Sequence, residues 1–135
     1  MCYNNEKYEW NKEEAYYWFD IVNVFNISKM ERYVWKALLM NGIQFEYQKK
    51  FEWLVYDSYQ SLDFYIPSKN VAIECQGKQH YETDVKYHLM LDENKRELCE
   101  DYHGVKIIYF TNCSKCYIDG VYRNIDKLIH DIKQY

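Results

Sequence analysis

Apolar and polar positions alternate most regularly between Ser61 and Tyr81, in the stretch SLDFYIPSKNVAIECQGKQHY. Side chains point to opposite faces at successive positions of a strand. With Ile66 facing Val71 across a turn of Pro67, Ser68, Lys69 and Asn70, the two halves sort into two sets. Leu62, Phe64, Ile66, Val71, Ile73 and Cys75 form an apolar face; Ser61, Asp63, Tyr65, Ala72, Glu74 and Gln76 form the other. The same register sets Asp63 across from Glu74, with Cβ atoms roughly 4.5–5.5 Å apart. Two carboxylates so placed repel unless a cation sits between them, and a divalent metal is the obvious candidate because hard cations take carboxylate oxygens.

The pattern on either side predicts the remaining elements. Ser28-Lys29-Met30-Glu31 fits a capping box, and Met30, Val34, Leu38 and Asn41 trace one face of a helix that Gly42 stops. Ile43, Phe45, Tyr47, Lys49 and Phe51 alternate with Gln44, Glu46, Gln48 and Lys50, which reads as a strand. The hairpin strands follow near 61–66 and 71–76. A long helix is expected from about Asp84 to His103, with Val85, Leu89, Leu91, Leu98 and Tyr102 on its apolar side and Gly104 at its end. Val105 to Phe110 is wholly apolar apart from Lys106 and reads as a central strand. The loop TNCSKCYIDG leads to a last helix with the stripe Val121, Ile125, Leu128 and Ile132. Residues 1–27 are read as an N-terminal extension, in which Asn11 to Phe19 suits a short helix and IVNVFNI a strand or extended arm. The order helix, three strands, helix, strand, helix predicts an α/β single domain over residues 1–135, with a mixed four-stranded sheet flanked by helices.

Composition narrows this picture. The chain has 135 residues, 19% of them aromatic, including 16 Tyr and 4 Trp, against only 4 Gly and 1 Pro. That is the make-up of an ordered domain with a real core rather than of a disordered tail. No apolar run is long enough to span a membrane and MCYNNEKYEW lacks a signal-peptide core, so a cytoplasmic protein with reduced thiols is expected. A net charge of −4 argues against a protein that coats nucleic acid, though not against a nuclease, whose site must be acidic to hold a metal.

The residues Asp63-Phe64-Tyr65-Ile66-Pro67 followed by Ile73-Glu74-Cys75-Gln76-Gly77-Lys78-Gln79-His80-Tyr81 resemble the core of the PD-(D/E)XK restriction-endonuclease-like superfamily. Within it they resemble the branch of very short patch repair endonucleases and phage homing-type nucleases. The resemblance covers about residues 28–110, leaving 111–135 as a C-terminal loop and helix. It implies a restriction-endonuclease-like fold and Mg²⁺- or Mn²⁺-dependent hydrolysis of DNA, in a repair, mobile-element or phage setting. Asp63 and Glu74 stand at the metal-binding carboxylates, His80 resembles a general base, and Glu31 and Asp92 complete an acidic set. Gln76 stands where the superfamily usually has Lys, and a neutral amide supplies neither positive charge nor a proton-carrying amine. Hydrolysis of a phosphodiester asks for an activated water and relief of charge at phosphorus, which a carboxylate-held metal and a neutral-range histidine provide.

Each of these residues has a plainer reading. Asp63 and Glu74 are also explained as solvated carboxylates on an open face, Glu31 as a backbone cap, His80 as a loop histidine, and Asp92 as part of a surface ion pair with Lys95. Cys113-x-x-Cys116, with Cys99 and His103 one helical turn apart before it, has the spacing of a structural Zn²⁺ site. The plainer account is a buried Cys99 and two loop cysteines. Lys49, Lys50, Lys69, Lys78, Lys86, Lys95 and Arg96 are candidates for contact with DNA phosphates. A single site implies a homodimer, a second event or a targeting partner if both strands are cut. The rival expectations are a catalytically inactive nucleic-acid-binding or assembly subunit, which Gln76 favours, and a two-carboxylate glycosidase.

Overall fold

The computed structural model describes residues 27–56, 58–77, 85–114, 116 and 118–135. The helix expected in 11–19 and the assignments to Lys78 and His80 lie outside these residues.

Ser28 caps helix α1 (Lys29–Met40), its hydroxyl accepting from the Glu31 amide at 3.1 Å. Gly42 follows in the left-handed region at φ 68°, a conformation that costs glycine nothing. Strand β1 (Glu46–Lys49) is shorter than the alternation from 43 to 51 suggests. A small antiparallel ribbon comes next, β2 (Val55–Tyr56) with β3 (Ser58–Tyr59), in a stretch whose pattern predicts no element. Strands β4 (Leu62–Ile66) and β5 (Val71–Cys75) form the anticipated hairpin, with Ile66 opposite Val71, Tyr65 opposite Ala72 and Phe64 opposite Ile73. Asn70 closes the turn at φ 53°, a left-handed position that asparagine tolerates better than most residues.

Helix α2 (Val85–Arg96) does not run unbroken to His103; from Glu97 to Tyr102 the winding loosens to a π-helical turn. That turn buries Cys99 and lets the Glu100 carboxylate accept the Ile107 amide at 2.9 Å, on the outer side of edge strand β6 (Lys106–Phe110). Gly104, again left-handed, redirects the chain into β6. Helix α3 (Ile125–Gln134) begins at an Asn124 cap, leaving Val121 of the expected stripe ahead of the helix.

The sheet order is β1-β4-β5-β6, with β6 parallel to β5 and the other neighbours antiparallel. Strand β6 is thus an edge strand, not the central one its apolar run predicts, and burial on both faces explains that run. This is an α/β domain with a mixed four-stranded sheet and three helices. Two apolar clusters cover its faces. One joins α1 and α3 to the sheet through Trp35, Leu38, Phe45, Phe64, Ile73 and Leu128, all fully buried or nearly so. The other gathers Leu54, Leu62, Ala72, Cys99, Val105 and Ile107. Alternation assigns Leu62 to the face of Phe64, yet it packs with Leu54 and Cys99. The β1–β4 pairs run Tyr47 to Phe64 and then Lys49 to Leu62, and Gln48 between them is left-handed at φ 53°. The pleat breaks there, so the parity that governs Phe64 and Ile66 no longer governs Leu62. Among the described residues no helix is long and apolar enough to cross a membrane.

Candidate active site

The backbone pairs of β4 with β5 stop at Phe64–Ile73, and beyond them carboxylates stand in for the ladder. The Cys75 amide donates to Asp63 Oδ2 at 2.8 Å, and the Asp63 amide donates to Glu74 Oε2 at 3.2 Å. Each acid thus satisfies an N–H of the other's strand, which fixes both side chains in the fork between the strands. Glu74 is 5% exposed, so the open, solvated face is not what surrounds it.

The cation in contact with this pair comes from α2. Lys95 Nζ lies 2.5 Å from Glu74 Oε1 and donates to the Ser61 carbonyl at 2.8 Å. Lys95, expected at a DNA phosphate, is therefore committed to Glu74. Burial alone lowers the pKa of such an ammonium, but the fields of Glu74, Asp63 and Asp92 outweigh it and hold the group charged. Asp92, one turn earlier on the same helix, acts on the site through that field.

Glu31 joins from the opposite side. Its Oε1 accepts from the Ser28 hydroxyl and its Oε2 from the Tyr47 hydroxyl, both at 2.8 Å. Gln48 links it to the fork, its Nε2 lying 3.5 Å from Glu31 Oε2 and 3.4 Å from Asp63 Oδ1. Ser61 donates to Gln48 Oε1 at 2.6 Å and holds that amide in place. Glu31 consequently serves both the cap and the site.

Three carboxylates face one ammonium here, and the imbalance registers in the neighbouring groups. Burial first, and then the charge of Glu74, push the Asp63 carboxyl well above the usual carboxylate range. The Cys75 thiol is raised by burial and then by Asp63, Glu31 and Glu74, so it stays neutral and unreactive. Excess negative charge in a dry fork is the condition a hard divalent cation relieves. Asp63 and Glu74 fit such an ion through their oxygens. Among the described residues no group of three or more His, Cys, Asp or Glu is placed to hold a metal, so this pair would hold such an ion together with oxygens from elsewhere. Mg²⁺ is commonly held this way, by one or two carboxylates plus phosphate.

Gln76 is 3% exposed, and its side-chain Oε1 is buried without a hydrogen-bond partner among the described residues. Its backbone is pinned, the amide donating to the Phe110 carbonyl at 2.9 Å and the carbonyl accepting from the Thr111 hydroxyl at 2.7 Å.

The structure does not bring the four zinc candidates together. Cys99 and His103 precede β6 whereas Cys113 and Cys116 follow it, and a five-residue strand spans about 17 Å. The His103 ring instead stacks on Trp53 at 3.8 Å, and Cys99 belongs to the second apolar cluster. Among the described residues, the expected cations do not gather into one track; Lys78 and the Lys86 side chain lie outside them. Lys49 pairs with Glu46 at 2.9 Å and lies over the Phe51 ring, Lys50 is exposed, and Arg96 lines a surface cleft with Glu93, Glu97, Glu100 and Asp101.

Sequence reasoning missed Gln48 as a site residue and Lys95 as the partner of Glu74. The signal for each was a register between elements, β1 on β4 and α2 on the sheet. No protein-family model, curated protein or solved structure matches the chain, so the functional reading rests on this geometry.

Proposed function

We propose that the domain is a Mg²⁺-dependent DNA endonuclease of restriction-endonuclease-like fold, with Asp63 and Glu74 as its metal-binding carboxylates. The observation that carries the reading is the contact of Lys95 with Glu74 inside a buried, over-acidic fork. It supplies from helix α2 the amine that Gln76, just past β5, cannot supply. A bound Mg²⁺ would contribute Lewis acidity and a more acidic water. Lys95 places a fixed positive charge where negative charge grows at phosphorus, in a setting that excludes most water. Gln48 holds the Asp63 carboxylate in aim. Cleavage of both strands by one such site calls for a second copy or a second encounter.

The binding-subunit reading has one observation in its favour: the ammonium of Lys95 already neutralises Glu74, as it would in a purely structural ion pair. A glycosidase is less well served. Asp63 and Glu74 share one fork, each bonding an amide of the other's strand, closer together than the roughly 5–9.5 Å at which a pair of acids brackets a sugar bond.

Cleavage of supercoiled plasmid with Mg²⁺, Mn²⁺ or EDTA separates these possibilities. Metal-dependent nicking is expected in wild type, with about 10²–10⁴-fold loss in Lys95→Met and loss to background in Asp63→Ala. Full activity in Asp63→Ala removes the nuclease reading. Full activity in Lys95→Met alone reduces Lys95 to charge balance. Binding without cleavage under either metal supports the subunit.

A further inference from the structure

A cavity of about 400 Å³ opens on the α1–α3 side of the sheet, lined by Lys29, Met30, Tyr33, Phe110, Asn112 and Arg123. None of these residues belongs to the carboxylate site, and among the charged ones both are cations. Lys29 stands in the first turn of α1, where the helix N-terminus adds its own attraction for an anion. The Arg123 guanidinium is steadied by a 2.9 Å bond from Nη1 to the Cys113 carbonyl, which leaves its other N–H groups for a ligand. The Tyr33 ring lies 6.3 Å from that of Phe110, the planes 28° apart, and Tyr33 is 53% exposed. An exposed aromatic face held against a buried one is a platform for a second flat ring. Two cations beside it suit phosphate, and the Asn112 amide can both donate to and accept from a base edge. Phosphate, flat ring and polar edge together describe a nucleotide.

The cavity and the fork lie toward the same end of the sheet but on its two faces, Phe110 packing in the α1–α3 cluster and Glu74 meeting Lys95 of α2. Tyr33 and Lys29 flank Glu31 on α1, and Glu31 connects to Asp63 through Gln48. Phe110, in the cavity wall, is the register partner of Cys75, the residue after Glu74. We propose that this cavity takes a nucleotide displaced from the duplex, its base on Tyr33 and its phosphate on Lys29 and Arg123. The domain then prefers DNA carrying an unpaired nucleotide, for which leaving the stack costs least. This inference rests on the endonuclease reading for its substrate and specifies which DNA that is.

The test is fluorescence anisotropy in EDTA, with a labelled perfectly paired duplex, the same duplex carrying one unpaired nucleotide, and free deoxynucleoside monophosphate as competitor. Wild type is expected to bind the second duplex about tenfold or more tightly than the first, with Tyr33→Ala losing the preference and Tyr33→Phe keeping it. Lys29→Ala and Arg123→Ala should each weaken binding and lower the salt slope by about one. Thermal melting identifies any variant that has lost its fold, and Tyr33→Phe serves as the folded control. Absence of a preference in wild type, or its survival in Tyr33→Ala, overturns the proposal. Displacement of the duplex by stoichiometric free mononucleotide overturns DNA as the occupant. Metal-dependent plasmid cleavage is scored beside it. Cleavage without preference sinks the cavity and leaves the nuclease, whereas preference without cleavage does the reverse.

Discussion

The two ends of the β4–β5 hairpin share two strands and one register, yet they are built on opposite principles. At the turn end, Ile66 and Val71 are buried apolar partners, and Asn70 takes the left-handed turn position and donates to the Gly104 carbonyl at 2.9 Å. Everything there favours the fold at once. At the fork end, side-chain carboxylates replace backbone pairing, a glutamate is buried, and a non-glycine residue sits at φ 53° in the neighbouring strand. Left-handed backbone at a residue other than glycine or asparagine, and buried charge, each work against folding. A chain keeps such features where they serve something other than stability, and this contrast is what supports the proposed function at the fork.

Phe64 and Asp63 are adjacent and lie on either side of this boundary, so they give the sharpest comparison. Phe64 is fully buried, with its ring 5.4 Å from both Phe45 and Tyr47 and 6.1 Å from Trp35. Phe64→Ala should cost about 3–5 kcal/mol, the largest effect expected here, read as a fall in the urea midpoint. An unchanged midpoint would mean that the aromatic cluster does not hold the sheet to α1.

Asp63→Asn should do the opposite. Burial, followed by Glu74, raises the folded-state pKa of this carboxyl above its unfolded value. The stability it contributes is then fully present below the unfolded pKa and lost as pH rises through the folded pKa. Wild type should therefore lose thermal stability as pH climbs above the ordinary carboxylate range. Asp63→Asn should flatten that slope and be more stable at pH 8, by on the order of 1 kcal/mol. Mg²⁺ should raise the melting temperature of wild type at pH 8 and leave Asp63→Asn unmoved, because binding draws on the ionised form. A variant less stable than wild type at pH 8 would show that the fork is held together by Asp63 rather than strained by it.

The same boundary separates what the sequence discloses from what it hides. The hairpin register, the Ser28 cap, the glycine stops at 42 and 104 and the opposition of Asp63 to Glu74 depend on residues a few positions apart, so local pattern reveals them. The partner of Glu74 does not, because Lys95 reaches it only once α2 has docked on the sheet, and no period in the sequence encodes that docking. Lys95 on an isolated helix looks like any solvated lysine. Leu62 is misplaced for a related reason: its parity is reset by a left-handed residue in another strand, 14 positions away. The loosened turn after Arg96 has no signature in an apolar stripe that continues through Leu98 and Tyr102.

Gln48 supports the smallest effect and the closest test of the contrast. Its backbone at φ 53° costs a side chain about 1–2 kcal/mol, and its amide reaches Asp63, Glu31 and Ser61. Gln48→Ala keeps the strained backbone and loses the contacts; Gln48→Gly loses the same contacts but removes the strain. The glycine variant should therefore be more stable than the alanine variant by about 1 kcal/mol in thermal or urea unfolding. Both should bind Mg²⁺ more weakly than wild type by calorimetry, and to the same extent, if the amide is what aims Asp63. Metal affinity retained in Gln48→Gly and lost in Gln48→Ala would assign that aiming to the left-handed backbone instead. Equal stability of the two variants would mean that the kink is relaxed, and the strain at the fork would then reside in the carboxylates alone.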